Sequence, residues 1–335
     1  MTGAMEMREL GATGLVVSRL GLGMAALGRP GYMVLGHAED MAGGTSVDAM
    51  RARAHAVLDA AWALGVRYVD AARSYGRAEE FVASWLSARG IAPGEVVVGS
   101  KWGYAYTAGW RVDAEVHEVK EHTAAQLARQ SAESIGILGD HLRLYQIHSA
   151  TLETGVLENA GVIAGLARLK GDGLRIGLSL TGPRQADTLR RAMEVTADGV
   201  PLFDAVQATW NVLEPSAGEA LREARAAGMG VIVKEALANG RLTTRNTSPV
   251  HAAELAVLRR EAERLGTSVD ALALAAALAQ PWADVVLSGA ATPEHLRSNA
   301  AALDVRVDAE AFERLGVLAW GPEAYWDERS RLPWT

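Results

Sequence analysis

Six apolar runs in this 335-residue chain each finish in a polar side chain able to act on a ligand. VRYVD ends at Asp70, VVVGSK at Lys101, RLYQIH at His148, RIGLS at Ser179, DAVQ at Gln207 and VIVK at Lys234. Tyr75 stands five residues beyond Asp70, in D-A-A-R-S-Y-G, where Gly76 permits a tight turn. Taken singly, a polar run end is ordinary, and a lone Tyr is more often a packing residue. Together they specify a chemistry. A phenol with an unperturbed pKa of about 10 donates a proton only if its conjugate base is stabilised. The Lys101 ammonium would provide that, and the Asp70 carboxylate would hold the ammonium charged and oriented. With the His148 imidazole they form a proton-donating device for a carbonyl becoming an alcohol.

The elements that must position these groups follow one rhythm. Strand-like runs at 18–23, 66–70, 96–101, 143–148, 174–179, 204–207, 230–234 and 284–287 alternate with helical patterns. The helical patterns cover 57–64, 78–88, 115–135, 162–170, 185–195, 218–227, 252–265 and 294–303. Eight strands alternating with helices predict an α/β fold of one domain over residues 1–335, a closed parallel (β/α)8 TIM barrel. The runs are nearly all apolar, as expected of strands buried on both faces. Gly65, Gly173 and Gly228 suit left-handed helix ends. Residues 7–17 read as an N-terminal β-hairpin turning at Gly11 to Gly14. In such a barrel the reactive groups gather at the carboxyl ends of the strands, which is where the six polar residues fall.

Composition excludes several classes. A net charge of -7 argues against nucleic acid or an anionic membrane as the main partner. With no cysteine, disulfides, thiolate metal sites and cysteine nucleophiles are all excluded, and a reducing cytoplasm fits. The start, MTGAMEMREL, is charged and lacks a signal-peptide core, while the most apolar helical stretch, 269–279, is too short to span a bilayer. No metal site is expected. His117 and His122, on the predicted helix 115–135, would point about 140° apart and read as part of a solvated face. Gly21, Gly23 and Ala26 fit a loose dinucleotide fingerprint, but Arg29-Pro30-Gly31 and Gly36 prevent the helix it requires.

The chain resembles the aldo-keto reductases over almost its whole length. RELGATGLVVSRLGLGMAALG (8–28) is similar to the family's hairpin and first strand, VDAARSYG (69–76) to its D-T-A-x-x-Y-G, VVVGSKWG (96–103) to its Lys strand and LYQIHS (144–149) to its His strand. RIGLS, VQATWN, EALANGRL and SGAATPEHLRSN resemble its cofactor segments, and YWDERSRLPW the tail of longer bacterial members. The resemblance implies Tyr75 as general acid, Lys101 lowering its pKa, Asp70 pairing with Lys101, and His148 orienting the carbonyl. It implies that Ser179 and Gln207 hold the nicotinamide carboxamide and that residues 237–242, with Leu237, Asn239 and Gly240, wrap the pyrophosphate. Gly289, His295, Arg297 and Asn299 would meet the adenosine. The implied cofactor is NADPH, with NADH also possible, and the implied partner is a small-molecule carbonyl substrate.

Three positions depart from the family pattern. Leu180 replaces a carboxamide-binding Asn, Lys234 replaces the aromatic that stacks on nicotinamide and could instead contact a phosphate or the substrate, and Ala291 stands where many members place a base for the 2′-phosphate. Residues 28–44 form a candidate loop at the barrel mouth, in which His37 either reaches the substrate or lies on the surface. Trp102, Tyr104, Tyr106 and Trp110 either wall the site or pack their loop, and residues 320–335 either pack on the exterior or cover the mouth. The same residues run backwards would oxidise an alcohol or sugar with NAD, and a cofactor-sensing subunit is the alternative from another class. Substrate, direction and oligomeric state are left open.

Overall fold

The computed structural model describes residues 5–335, so the first four residues of MTGAMEMREL lie outside the described part. Eight parallel strands close into a barrel, as the sequence rhythm predicts. In chain order they are β1 (Leu20–Gly23), β2 (Tyr68–Asp70), β3 (Val97–Trp102), β4 (Leu142–Ala150), β5 (Arg175–Leu180), β6 (Ala205–Thr209), β7 (Gly230–Lys234) and β8 (Val285–Ser288). Each pairs with its chain neighbours, and β8 closes on β1 through Val286 opposite Leu20. An antiparallel hairpin, Met7–Glu9 with Val16–Ser18, precedes the barrel. Its Leu10, Leu15 and Val17 join Tyr68, Val97, Leu144, Ala205, Ile232 and Val285 in one buried cluster, so the hairpin plugs one end of the barrel. Larger apolar surfaces lie between the strands and the surrounding helices.

The two-residue alternation of strands decides what faces the lumen. Tyr68, Val97 and Leu144 belong to the apolar lumen cluster, so residues two steps further along share their face. Those residues are Asp70, Gly99 with Lys101 beyond it, and Gln146 with His148 beyond it. The lumen therefore changes from apolar at the hairpin end to polar at the strand carboxyl ends. Gly99 fits this reading, because a Cβ there would lie 2.5 Å from the Tyr68 hydroxyl.

Several helices are longer or shorter than their patterns. Val47–Ala63 begins ten residues before the expected 57, capped by Ser46 accepting from the Ala49 amide at 3.2 Å. The expected helix over 115–135 starts only at Ala124, where Thr123 caps the Gln126 amide at 3.1 Å. Residues Glu118–Lys120 instead pair antiparallel with Tyr104–Tyr106, forming a small hairpin above the barrel. The helical placement of His117 and His122 is thus overturned, and so is their solvated face. His117 stacks on Trp334 with ring centres 4.1 Å apart, and His122 Nε2 contacts the His148 carbonyl at 2.9 Å. Gly65, Gly173 and Gly228 have φ of 86°, 101° and 91°, as their positions after helices require.

Tyr75 sits in a turn that needs one close backbone approach. A Cβ on Gly28 would lie 2.2 Å from the Tyr75 carbonyl and 2.5 Å from the Ala78 Cβ, while the Gly28 carbonyl accepts the Arg77 amide at 2.8 Å. Gly28→Ala is therefore expected to destabilise by about 1–3 kcal/mol through overpacking and to displace Tyr75. Thermal unfolding of the variant beside wild type checks this, and an unchanged midpoint would show that the turn is not constrained there.

Candidate active site

Lys101 is fully buried and Asp70 nearly so. The Lys101 ammonium donates to Asp70 Oδ2, to the Ala71 carbonyl at 2.9 Å and to the Tyr75 hydroxyl at 3.5 Å. Asp70 Oδ1 accepts from Gln207 Nε2 at 2.8 Å, Tyr68 at 3.3 Å and Gln146 Nε2 at 3.4 Å. The Tyr75 hydroxyl lies 3.5 Å from His148 Nε2, with the two rings edge to face. The structure thus brings Asp70, Tyr75, Lys101 and His148 together, from β2, the turn after it, β3 and β4.

His148 is set by an irregularity in its strand. The register of β4 against β5 shifts between Ile147 and Ala150, and Ser149 takes a φ of 53°. Its amide then donates to Ser179 Oγ at 2.8 Å, while Ser74 Oγ lies 3.3 Å from His148 Nδ1. Burial pushes the His148 pKa well below its usual value, and the cations Lys101, Arg29 and Lys234 add to this, so the imidazole is neutral. Burial likewise pushes the Tyr75 phenol well above 10, with Asp70 adding to it and Arg29 opposing. The net shift is opposite to the depression expected from Lys101, because burial outweighs the neighbouring cations. The phenol is held in its protonated form.

These groups lie in a cavity of about 500 Å³ above the barrel. Of the residues matched to cofactor positions, Ser179, Gln207, Lys234, Leu237, Asn239, Gly240, Gly289, His295 and Asn299 line it. Arg297 does not. It turns outward, 60% exposed, and pairs with Glu294 at 3.2 Å. Leu180 is buried in the outer core, and Leu242 is buried in a second apolar cluster. The lining offers polar groups without partners. Asn239, at φ 57°, leaves its buried Oδ1 without a partner, and a Cβ on Gly289 would meet nothing within 4 Å.

The loops contribute more than their sequence suggested. Residues 28–44 line the cavity from Gly28's neighbour Arg29 to Asp40, and His37 is fully buried, with Nε2 3.2 Å from the Pro30 carbonyl. Its possible surface position is thereby excluded. Arg29 is 3% exposed and donates to the Ser74 carbonyl at 3.0 Å and Glu118 at 2.7 Å, with its guanidinium 5.3 Å from the Tyr75 ring centre. Of the four candidate wall aromatics, Tyr104 lines the cavity, 5.0 Å from the His148 ring. Trp102 is fully buried core and Trp110 packs on Phe81, so these two serve their loop. The C-terminal segment does both things expected of it in turn. Tyr325 and Trp326 pack into an apolar cluster, while Arg329 and Trp334 line the cavity. Arg29, Glu118, Asp40, Arg245, Glu235 and Arg329 escaped the sequence reading. They lie in loops or in short elements outside the barrel's repeating pattern, where the sequence rhythm does not mark which way a side chain faces.

Comparison with known proteins agrees with this architecture. Residues 19–318 match the Aldo/keto reductase family. The chain belongs to the aldo/keto reductase family. An aldo-keto reductase of Strobilurus tenacellus is 25% identical over 97% of this chain and 95% of its own length. L-galactose dehydrogenase of Arabidopsis thaliana is 27% identical over 89% of this chain and 88% of its own. A crystal structure of an aldo-keto reductase from Pseudomonas aeruginosa superimposes with a TM-score of 0.64 at 27% identity, covering 89% of this chain and 94% of that one. The holo form of an aldo-keto reductase from Bacillus halodurans shares the fold, with a TM-score of 0.73 at 23% identity over 95% of this chain and 97% of that one. The chain is thus an oxidoreductase of this family. Among the described residues no group of side chains is arranged to hold a metal ion, and no helix is long and apolar enough to cross a membrane.

The tail is tied to the site by one ion pair. Arg329 binds Glu235 through Nε at 3.0 Å to both carboxylate oxygens, and Lys234 lies 3.9 Å away. Burial alone would raise the Glu235 pKa, but Arg329 and Lys234 outweigh it and hold it down to about 2. A depressed carboxylate pKa stabilises the fold above its ordinary value of 4.5 and loses that contribution as pH falls towards 2. Arg329→Met, which leaves Glu235 buried beside Lys234 alone, is expected to cost about 3 kcal/mol at neutral pH. Denaturant unfolding should show that deficit narrowing as the pH is lowered from 4.5 towards 2, whereas a constant deficit would assign it to lost packing.

Proposed function

We propose that this protein reduces an aldehyde or ketone to an alcohol with a nicotinamide dinucleotide, NADPH or NADH, and that Tyr75 is the general acid. The observation that carries the reading is the placing of one hydroxyl, Tyr75, 3.5 Å from both the Lys101 ammonium and His148 Nε2 beside a cavity that offers polar groups. When bound, the dinucleotide supplies the hydride that the carbonyl carbon takes up. Gln207 and Ser179 would hold its carboxamide end, Leu237, Asn239 and Gly240 its middle, and Gly289, His295 and Asn299 its far end. Lys234 lies at the carboxyl end of β7 and donates to Thr209 Oγ1 at 2.7 Å, with its pKa lowered by burial to about 8. It would contact the polar groups of cofactor or substrate there, without the stacking an aromatic ring provides.

The chain's own groups then act at the carbonyl oxygen. Tyr75 donates its proton to that oxygen, and Lys101, paired with Asp70, stabilises the phenolate left behind. His148, neutral, donates a hydrogen bond to the same oxygen and fixes its position. Contacts of 3.5 Å are long for hydrogen bonds, as is common in catalytic groups that tighten only around a bound substrate. Two relatives are named as dehydrogenases, the L-galactose enzyme and a pyridoxal 4-dehydrogenase of Microbacterium luteolum that is 37% identical over 31% of this chain and 26% of its own length. They favour including alcohol oxidation, in which Tyr75 as phenolate would accept the proton instead.

Tyr75→Phe keeps the ring and removes the acid. Aldehyde-dependent oxidation of NADPH or NADH should fall by about 10²–10⁴-fold, the usual scale for a general acid, while dinucleotide binding persists. If the variant turns over simple aldehydes at the wild-type rate, Tyr75 does not have this role.

A further inference from the structure

We infer that the outer end of the cavity is built to accept a ribose 2′-hydroxyl and to refuse a 2′-phosphate, so that the preferred cofactor is NADH. This rests on the dinucleotide reading above and names the member of that class. The hydride-bearing ring must face Tyr75, so the adenosine must extend away from it along the lining, and we assign its end to the linked group of Asp40, Arg245, Asp270, Ala291, His295 and Ser298.

Charge at that end decides between the two cofactors. A 2′-phosphate brings close to two negative charges and needs cations with free donors. Among the described residues lining this end, Arg245 is the one permanent cation, and its Nη donors are committed. Nη1 and Nη2 bind Asp40 at 2.9 and 2.6 Å, Nη1 also binds the Gly36 carbonyl at 3.0 Å, and Nη2 binds His295 Nε2 at 2.8 Å. A guanidinium has no acceptor, so His295 Nε2 must receive that bond and carries no proton. Arg245 thus spends its charge on Asp40 and occupies His295 Nε2. Arg297 faces away, paired with Glu294. Ala291, which borders the cavity, offers no donor on its side chain. The amide of His295, at the start of helix Pro293–Ala300, is already taken by Thr292 Oγ1 at 3.2 Å.

Asp270 adds the opposing charge. It lies in the first turn of helix Val269–Leu278 and accepts from Ser298 Oγ at 2.7 Å, with no cation within ion-pair distance among the described residues. A carboxylate with oxygen lone pairs to spare hydrogen-bonds a ribose diol well and repels a phosphate, the same discrimination that an acidic residue makes in other dinucleotide sites. Asp40 and Asp270 against Arg245 leave this end net negative.

The test is a binding measurement. The purified protein is titrated with NADH and with NADPH, following tryptophan quenching and, independently, the rise in unfolding temperature. The expected result is an NADH dissociation constant at least about tenfold below that for NADPH, a modest effect for one like-charge contact near a protein surface. Asp270→Asn keeps the shape and the Ser298 bond but removes the charge, and should bring the two constants together by strengthening NADPH. Equal affinities, or tighter NADPH, would overturn the inference. An NADH preference that Asp270→Asn leaves unchanged would overturn the assignment to Asp270. Failure of both dinucleotides to bind would sink the cofactor reading itself, which a simple reversal of preference would leave standing.

Discussion

The ion pair between Asp70 and Lys101 joins neighbouring strands at the centre of the barrel, and the remaining site geometry is organised around it. An unpaired ion at either position would be strongly disfavoured, because removing a charge from water costs several kcal/mol even after the protein relaxes (about that order). The two charges therefore have to meet, and their strands hold them in reach, with Asp70 opposite Gly99, two residues before Lys101. Gly99 has no side chain to come between them, and the Tyr68 hydroxyl occupies the space beside it. Gln207 and Gln146 then donate to the Asp70 oxygen that Lys101 leaves free, from strands farther round the barrel. One carboxylate thus ties together β2, β3, β4 and β6.

That arrangement depends on the parity of the strands. A one-residue slip of β2 or β3 would turn Asp70 or Lys101 out of the lumen and towards the helices, away from its partner. The apolar plug below, made by the hairpin and residues such as Tyr68 and Leu144, resists such a slip by burying one face of each strand. Stability at the hairpin end and chemistry at the other end are therefore read from alternate residues of the same short strands.

The barrel and the four central residues could be read from the sequence because both follow from local pattern. Apolar runs mark strands, and Asp70, Lys101 and His148 end three of them. Tyr75 was legible from its distance to Asp70 and the glycine that follows it. The misread helix over 115–135 shows where pattern fails. Its apolar spacing fits a helix, but pairing of Glu118–Lys120 with Tyr104–Tyr106 supplies backbone hydrogen bonds that a local reading does not see. The resemblance placed Arg297 with His295 at the adenosine end, yet on helix Pro293–Ala300 the two point to different sides, one to the cavity and one to Glu294. Arg29 and Arg329 were invisible because their importance comes from partners 89 and 94 residues away, Glu118 and Glu235.

Those distant partners also explain the protonation of the site. Lys101, Arg29 and Lys234 all act on His148, and each has a carboxylate nearby, Asp70, Glu118 and Glu235 respectively. Pairing lets three cations be gathered around a buried imidazole without unfolding the mouth, and burial together with their field keeps that imidazole neutral. With the Ser74 hydroxyl 3.3 Å from Nδ1 and able to donate there, the neutral imidazole can carry its proton on Nε2, the nitrogen facing Tyr75. Two neutral donors, one phenol and one imidazole, then converge where negative charge develops on a carbonyl oxygen. Were His148 charged, it would be the stronger acid and Tyr75 would have no proton to give that His148 could not give first. Holding the imidazole neutral is what reserves the proton transfer for the phenol.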